Sequence, residues 1–323
     1  TGHTGPHYAP VVMSWNINGR TALVTGGNSG IGLATATELA RLGARVTITS
    51  RNPAKGIDAA ARIQRETGTD VDVLDLDLSD LSSVRLAAQS FAATHESLAV
   101  LVNNAGGMFG RRSTTVDGHE TTFATNYLGP WLFTYLLTDL LISSAPARIV
   151  NVGSSGHGYA KDGIAFDDLN TSGRYKMMPV YGHSKLANIL HARELDRRLS
   201  PLGVHAYSMH PGLVKTSIGS GGDSMAVAIA VQFAGRRMRS PEQGADTIVW
   251  LASEPTPPEP AGGYFEDRTE ARSTRHARDD AMAAQLWLTT AETLGVEPDA
   301  YAARPNRDVA GGEAPDPEGD VGT

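Results

Sequence analysis

A glycine-rich turn lies between an apolar run and an amphipathic run near the start of the chain. The predicted strand Thr21–Thr25 leads into the sequence TGGNSGIG, and a predicted helix follows at Ile31–Leu42. Gly26 permits a tight turn, Gly30 lets the backbone come close to a ligand, and Gly32 lets the helix pack on the strand. Free N–H groups and the helix dipole favour an anion at such a turn. The pattern therefore predicts a strand–turn–helix unit that binds the pyrophosphate of a dinucleotide.

Short β-branched runs alternate with longer amphipathic runs over most of the chain. The predicted strands are Thr21–Thr25, Arg45–Thr49, Asp70–Leu74, Ala99–Asn103, Arg148–Val152 and Val204–Ser208. The predicted helices are Ile31–Leu42, Ala54–Glu66, Leu81–Thr94, Glu120–Ile142, Val180–Leu199, Pro241–Leu251 and Arg278–Leu294. Such alternation implies right-handed crossovers between parallel strands. We therefore predict an α/β fold, a single doubly wound Rossmann domain whose parallel sheet carries helices on both faces.

This predicted domain covers residues 18–295. Residues 1–17 form a predicted N-terminal extension, and residues 296–323, an acidic segment rich in glycine and proline, form a tail that we expect to be disordered. Residues 212–240 interrupt the alternation and are predicted to form a flap over the substrate. The apolar part of this flap could be a lid or part of the core, and contact of residues 225–239 with a membrane surface is a third alternative.

The composition excludes several classes of protein. The 323 residues include no cysteine, which excludes disulfide scaffolds, thiol catalysis and cysteine-ligated zinc. The net charge is −7 and no basic tract indicates binding of nucleic acid. The ten histidines form no His-x-x-x-His pair around an acid, so we predict no metal site. Neither a signal peptide nor an apolar run of about 20 residues is found, and we expect a cytoplasmic protein.

The end of the second predicted strand bears on the choice of dinucleotide. An acidic residue at this place binds the ribose 2′-hydroxyl of NAD, whereas an arginine accommodates the 2′-phosphate of NADP. The strand ends in Thr49-Ser50-Arg51. Arg51 therefore favours NADP(H) over NAD(H), and a solvated surface role for Arg51 is the alternative.

Tyr181 and Lys185 are four residues apart in a predicted helix, so they share one face of it. A tyrosine with a pKa near 10 is a poor base at neutral pH, but a neighbouring ammonium favours the phenolate and lowers this pKa. Such a phenol could supply the proton that accompanies hydride transfer at a carbon–oxygen bond. The spacing alone is also common on helix surfaces. Ser154 and Asn103–Gly106 follow two predicted strands, and the carboxyl ends of these strands should form one crevice with the Tyr–Lys pair.

Together these motifs resemble those of the short-chain dehydrogenase/reductase family, over roughly residues 18–295. The resemblance rests on the TGxxxGxG turn, the NNAG sequence at Asn103–Gly106, Ser154, the pair Tyr181 and Lys185, and the sequence PGLVKT at Pro211–Thr216. Further details resemble the retinol-dehydrogenase-like branch, namely Ser50–Pro53, Asp167–Asn170, YGHSKLAN at Tyr181–Asn188, Gly263–Phe265 and the terminal helix with Leu286-Trp287.

The resemblance implies a role for each of these residues. Tyr181 is the implied general acid and base, Lys185 lowers its pKa and binds the nicotinamide ribose, and Ser154 stabilises the substrate oxygen, with Ser155 as the alternative serine. Asn126 is implied to hold a water that extends a proton relay to Lys185. The implied cofactor-binding residues are Gly26, Asn28, Ser29, Gly30, Ile31, Gly32, Arg51, Asp77, Leu78, Asn103, Ala105, Gly106, Tyr181, Lys185, Pro211, Gly212, Val214 and Thr216.

The predicted function is the NADP(H)-dependent interconversion of an alcohol and a carbonyl on a small molecule. The Met177-Met178 pair and the apolar flap indicate an apolar substrate. The resemblance also implies a homo-oligomer packed through helices 120–142 and 180–199. A non-catalytic NADP(H)-binding regulatory or scaffolding protein is the alternative, but such a protein has no need of all four catalytic residues. A serine hydrolase is disfavoured because the residues around Ser184 lack the GxSxG pattern.

Overall fold

Eight strands form one sheet, in the order β3-β2-β1-β4-β5-β6-β7-β8, in the computed structural model, which describes residues 15–214 and 238–300. The strands are β1 Thr21–Val24, β2 Arg45–Ser50, β3 Val71–Asp75, β4 Val100–Asn103, β5 Ala147–Val152, β6 Val204–Met209, β7 Tyr264–Glu266 and β8 Thr269–Glu270. Strands β1 to β7 are parallel, and β8 is antiparallel to β7. The strand order reverses between β1 and β4, which places a binding crevice at the carboxyl ends of these strands. The predicted doubly wound fold is confirmed.

Helices cover both faces of this sheet. They are α1 Gly30–Arg41, α2 Pro53–Thr67, α3 Leu81–Thr94, α4 Thr121–Phe123, α5 Gly129–Ser143, α6 Met177–Leu199, α7 Pro241–Ser253 and α8 Asp280–Leu294. Successive residues of a strand point to opposite faces, so Val100 and Val102 of β4 pack in one buried cluster while Leu101 packs in the other. This double burial explains why the strands are continuous apolar runs.

Helix α7 begins where its sequence signals predict. The Ser240 hydroxyl accepts a hydrogen bond from the Gln243 N–H, and the Gln243 side chain accepts one from the Ser240 N–H, while Pro241 occupies the first helical position. These contacts fix the direction in which the chain returns to the sheet after the predicted flap.

The predicted helix Glu120–Ile142 is not one continuous α-helix. A π-helical segment, Ala124–Leu128, separates α4 from α5. Pro130 has no N–H, so it cannot donate to the Asn126 carbonyl as an α-helical residue at that position would. A Cβ on Gly129 would lie 2.3 Å from the carbonyl oxygen of Leu78, so only glycine allows this close approach. The helix therefore changes its geometry next to Asn126.

Strands β7 and β8 are missing from the sequence-based prediction. The apolar part of β7 is too short to show a period, and its extended conformation depends on pairing with β6, through Ser208 with Tyr264 and Met209 with Phe265. The Ser208 N–H donates to the carbonyl of Gly263 at 2.9 Å. These two strands extend the sheet beyond β6 and bring Tyr264 behind the carboxyl end of β5.

The two helices that were expected to join subunits are mostly buried or half-buried within the single chain. In the fully described helices α5 and α6, only Ser143 and Arg197 are exposed. Helix α8 packs on both, and the ring centres of Trp287 and Trp131 are 4.7 Å apart. A homo-oligomer packed through these helices stays a prediction.

Residues on both sides of the predicted domain limits pack against it. The Trp15 indole donates to the carbonyl of Ala252 at 3.1 Å, Ile17 is buried, and Val296 packs on the core. Residues 215–237, with Thr216 and most of the predicted flap, lie outside the described residues, as do most of the extension and the tail. No helix in the described ranges is long and apolar enough to cross a membrane. Within the same ranges, no cluster of three His, Asp or Glu side chains could hold a metal ion.

Candidate active site

Two adjoining cavities of about 510 and 320 Å³ form a cleft along the carboxyl ends of the parallel strands. Both are lined by Ile31, Asn104, Gly106, Gly107 and Met108. The sequence-predicted residues that line one or both are Gly26, Asn28, Ser29, Gly30, Ile31, Arg51, Asp77, Leu78, Ala105, Gly106, Ser154, the alternative Ser155, Tyr181, Lys185, Pro211, Gly212 and Val214. The fold thus brings most of the predicted site together, although these residues are spread over nearly 200 positions of the chain.

The glycine-rich turn has the conformation that a pyrophosphate site requires. Gly26 and Gly30 have φ values of 65° and 55°, in the left-handed region that favours glycine. Ser29 precedes α1 in an extended conformation and its side chain does not cap the helix, so the first N–H groups of α1 are not used by it. These amides and the helix dipole fit the two phosphates of a dinucleotide.

Gly32 does not line the cleft but supports it from behind. A Cβ at this position would lie 2.4 Å from the carbonyl oxygen of Gly26 and 2.5 Å from the Asn104 amide nitrogen. The absence of a side chain therefore allows α1 to pack against the turn, which is the packing role that the pattern predicts.

The first asparagine of the NNAG sequence faces away from the cleft, contrary to its predicted place in the cofactor site. The Asn103 amide donates to the Thr134 hydroxyl at 2.8 Å and to Asn151 Oδ1 at 2.9 Å, so its side chain ties β4 to α5 and β5. Asn104 lines the cleft instead. Its amide donates to the carbonyl of Thr25 at 2.8 Å, which joins the ends of β1 and β4.

The end of β2 presents positive charge to the first cavity. The Arg51 side chain is 74% exposed and its guanidinium lies 4.0 Å from the carboxylate of Asp77. Lys55, near the start of α2, lines the same cavity but was not predicted. The Ser50 hydroxyl donates to the carbonyl of Asn52 at 2.7 Å and so stabilises the turn that carries Arg51. Two cations at this place can bind a phosphate on the ribose.

Ser154 and Tyr181 meet in the second cavity. Both hydroxyl groups line this cavity, and the Ser154 hydroxyl lies near enough to the Tyr181 phenol to lower its pKa. Ser154 Oγ accepts a hydrogen bond from the Gly156 N–H at 3.0 Å. The contact favours Ser154 over the alternative, the exposed Ser155. A substrate oxygen placed between the two hydroxyls would have two hydrogen-bond donors.

Lys185 lies one helical turn beyond Tyr181 and is only 5% exposed. Its ammonium donates to the carbonyl of Val152 at 2.9 Å and lies 5.7 Å from the centre of the Tyr181 ring. Burial lowers the pKa of Lys185 to about 8. The expected lowering of the Tyr181 pKa is not found in this structure. Burial raises the pKa of this phenol, and the hydrogen bond from Ser154 offsets the rise only in part.

Asn126 is buried behind the cleft, where its side chain joins two elements. Its Oδ1 accepts from the Gly107 N–H at 2.7 Å, and its amide donates to the Gly107 carbonyl at 2.8 Å and to Ser184 Oγ at 2.9 Å. The Ser184 hydroxyl in turn donates to the carbonyl of Tyr181 at 2.8 Å. Asn126 therefore links the loop after β4 to the helix that carries Tyr181, while the implied relay water remains a prediction.

The second cavity is lined in part by large, mostly apolar side chains. The side chains there belong to Met108, Tyr159, Met178, Leu213 and Met238. Met178 comes from the methionine pair that the sequence singles out. His210, directly after β6, also lines this cavity. Burial lowers the pKa of His210 to about 4, so its imidazole is neutral at physiological pH.

Comparison with known proteins agrees with this geometry. The sequence model of the family described as short chain dehydrogenase matches residues 20–225. Retinol dehydrogenase 12 of Mus musculus is 42% identical over 282 residues, which are 87% of this chain and 88% of that protein. Short-chain dehydrogenase TIC 32 A, chloroplastic, of Brassica napus is 40% identical over 83% of this chain and 86% of its own length.

Solved structures show the same fold. A protein from Mycobacterium Paratuberculosis is 34% identical, with a TM-score of 0.67 over 88% of this chain and 97% of its own. The RhlG/NADP active-site complex of Pseudomonas aeruginosa is 30% identical, with a TM-score of 0.59 over 74% of this chain and 91% of its own. The fold, the cleft and these relatives agree: the chain belongs to the short-chain dehydrogenase family, in its retinol-dehydrogenase-like branch, and is an oxidoreductase that acts on CH–OH groups.

Proposed function

We propose that this protein interconverts an alcohol and a carbonyl on an apolar small molecule, with NADP(H) as its dinucleotide. The observation that carries the proposal is that Ser154, Tyr181 and Lys185 line one cavity, which adjoins the cavity lined by the glycine-rich turn. A substrate oxygen bound by Ser154 and Tyr181 would lie beside the cavity that the glycine-rich turn lines, where a dinucleotide would bind. When bound, the dinucleotide supplies or accepts the hydride.

The protein's own part in the reaction is to hold the oxygen and move one proton. In the direction of reduction, Ser154 and Tyr181 donate hydrogen bonds to the carbonyl oxygen, and the Tyr181 phenol gives its proton to that oxygen. In the direction of oxidation, Tyr181 takes the proton back. Lys185 holds a charge beside this phenol, and the link from Asn126 through Ser184 keeps the backbone of Tyr181 in place.

The raised pKa of Tyr181 bears on how the rate of each direction depends on pH. A phenol whose pKa is raised by burial keeps its proton, which is the form that a general acid needs. Oxidation requires the phenolate and should accelerate as the pH rises, whereas reduction should not.

Arg51 and Lys55 support NADP(H) over NAD(H). Both line the first cavity at the place where the 2′-position of the ribose would lie, and the β2 end carries no acidic residue to bind a 2′-hydroxyl. Among the structural relatives, the RhlG structure is a complex with NADP.

The class of substrate is proposed from the cavity rather than from the names of relatives. Retinol dehydrogenase 12 and TIC 32 A are almost equally similar to this chain, yet they carry different names. Methionine side chains are apolar and adaptable, so the side of the cavity formed by Met108, Met178 and Met238 suits a long or irregular hydrocarbon.

The test is the loss of NADPH absorbance with purified protein and a panel of retinal, long-chain aldehydes and steroid ketones, with small polar aldehydes as the matched comparison. Turnover should be greater with the apolar carbonyls, and Tyr181→Phe should abolish it while NADPH still binds. Binding of NADPH without turnover of any carbonyl would instead support the non-catalytic alternative. Retained turnover in Tyr181→Phe would overturn the role of Tyr181.

A further inference from the structure

His157 is a buried histidine next to the reaction centre that lines neither cavity of the cleft. It lies in the short 3-10 helix Ser155–Tyr159, directly after Ser154. Its Nδ1 is 2.7 Å from the carbonyl oxygen of Ser154, and its Nε2 is 3.2 Å from the backbone nitrogen of Thr274. One imidazole therefore bridges the serine and a segment more than one hundred residues later in the chain.

The two partners determine the tautomer of this ring. A carbonyl oxygen can only accept, so Nδ1 must carry the hydrogen, and a backbone N–H can only donate, so Nε2 must present its lone pair. Both contacts exist together only in the neutral form that is protonated at Nδ1. Burial lowers the pKa of His157, which is consistent with a neutral ring.

The ring is also held from the side. It packs edge-on against Tyr264 of β7, with ring centres 5.2 Å apart and an angle of 77° between the planes. The Ser154 carbonyl accepts a second hydrogen bond, from the His157 N–H at 3.1 Å. The backbone of Ser154 is thus fixed by a ring that is itself fixed by β7 and by Thr274.

The segment Ala271–Arg278, which contains Thr274, is also anchored by contacts that do not involve His157. The Ala271 N–H donates to the carbonyl of Tyr264 at 2.7 Å, and His276 Nε2 lies 3.1 Å from the carbonyl oxygen of Lys161. It leads into α8, which packs on α6. The ring of His157 therefore connects the segment Ala271–Arg278 to the backbone of Ser154.

We propose that His157 is a positioning residue for Ser154, which it holds through the Nδ1–H contact and connects through Nε2 to the segment Ala271–Arg278. The proposal rests on the role of Ser154 in the proposed function. Ser154 contributes to the reaction only if its hydroxyl points at the substrate oxygen. A shift of its backbone would misdirect this hydroxyl without affecting the dinucleotide cleft.

Two amide variants separate the two halves of the bridge. An asparagine places its carboxamide near the position of Nδ1, so His157→Asn can still donate to the Ser154 carbonyl but does not reach Thr274. A glutamine reaches the position of Nε2, so His157→Gln can accept from Thr274 but loses the donor to Ser154. The measurements are kcat and KM for a carbonyl substrate, the Kd of NADPH, the melting temperature, and amide hydrogen exchange of residues 271–278.

We expect His157→Asn to keep kcat within about threefold, because its carboxamide still donates to the Ser154 carbonyl. His157→Gln loses this donor and should lose about 10- to 100-fold in kcat, because a small displacement of a catalytic group is costly. The Kd of NADPH should change in neither variant. Equal losses of kcat in the two variants, or losses that follow their melting temperatures, would show a purely structural role and overturn the proposal.

Hydrogen exchange tests the bridge without reference to turnover. Exchange in residues 271–278 should become faster in His157→Asn and stay near that of the native protein in His157→Gln. If this pattern is found while Tyr181→Phe retains turnover, the contacts of His157 with Ser154 and Thr274 are supported, but the proposed proton transfer by Tyr181 is wrong. If exchange is the same in both variants, the bridge itself fails.

Discussion

The ammonium of Lys185 lies 5.7 Å from the centre of the Tyr181 ring but donates its hydrogen bond to the carbonyl of Val152. In this arrangement the charge of Lys185 does not outweigh the burial of the phenol, whose pKa is raised. The lysine also bears a cost of burial, since its own pKa falls to about 8. The buried ammonium of Lys185 therefore lowers the free energy of unfolding of the protein.

Removing the charge of Lys185 should stabilise the unliganded protein. The pKa of Lys185 is about 8 in the folded chain and about 10.4 when unfolded, so between these values the unfolded state binds more protons and stability rises with pH. Below pH 8 the buried charge of Lys185 lowers the free energy of unfolding by its full amount, which is at most about 3 kcal/mol. Lys185→Met should therefore unfold at higher urea concentration than the native protein at pH 7, and the difference should shrink towards pH 10. A less stable variant at pH 7 would contradict this account.

The choice between the two neighbouring serines can be tested by a matched pair of variants. Ser154→Ala removes the hydroxyl that acts on the Tyr181 phenol and should lower kcat by about 10²- to 10³-fold, the usual cost of one donor to a developing oxyanion. Ser155→Ala changes an exposed residue and should leave kcat within about twofold. The measurement is kcat of both variants with one carbonyl substrate. A larger loss of kcat in Ser155→Ala than in Ser154→Ala would assign the catalytic role to Ser155.

The proposed preference for NADPH should depend on Arg51 and Lys55, which line the first cavity. A hydrogen bond to a charged group contributes about 1.5–3 kcal/mol, so Arg51→Ala should weaken NADPH binding by about 10- to 100-fold and leave NADH binding unchanged. Lys55→Ala should act in the same direction. Arg65→Ala, on the exposed surface of α2 and outside the cleft, is the control. The measurement is the ratio of the two Kd values by titration calorimetry, and a ratio that Arg51→Ala does not alter would refute the assignment.

The packing of α1 on the glycine-rich turn can be tested by stability alone. A Cβ at Gly32 would lie 2.4 Å from the backbone oxygen of Gly26, so Gly32→Ala should destabilise the fold by about 1–3 kcal/mol. Gly158 has no atom within 4 Å of such a Cβ, so Gly158→Ala serves as the matched control and should change stability little. Urea unfolding of the two variants gives the comparison, and equal stability would mean that α1 can shift away from the turn.

Much of the site was predictable because its motifs are short and local. The glycine-rich turn, Tyr181 with Lys185, and Ser154 after β5 each occupy a few consecutive residues. The parallel sheet was predictable too, because short continuous apolar runs alternate with longer amphipathic runs along the chain. Since the carboxyl ends of parallel strands share one edge, the order of these motifs along the chain already implied that they converge.

Other parts of the site depend on contacts between distant residues. Neighbouring side chains at a strand end point in opposite directions, so only the structure decided that Asn104 and not Asn103 faces the cleft. The short strand β7 exists through its pairing with β6. The ring of His157 reaches Thr274 only because the chain folds back over the serine.

The amino-acid sequence by itself determined which chemical groups are present and the type of fold that gathers them, because periodicity and turn chemistry act over a few residues. Tertiary structure decided the pKa values of these groups and therefore their protonation states. The sequence places an ammonium four residues from a phenol, which predicts a lowered phenol pKa, but the depth at which both are buried reverses that sign for Tyr181. Desolvation depends on everything that surrounds a side chain, and no local pattern of residues records it.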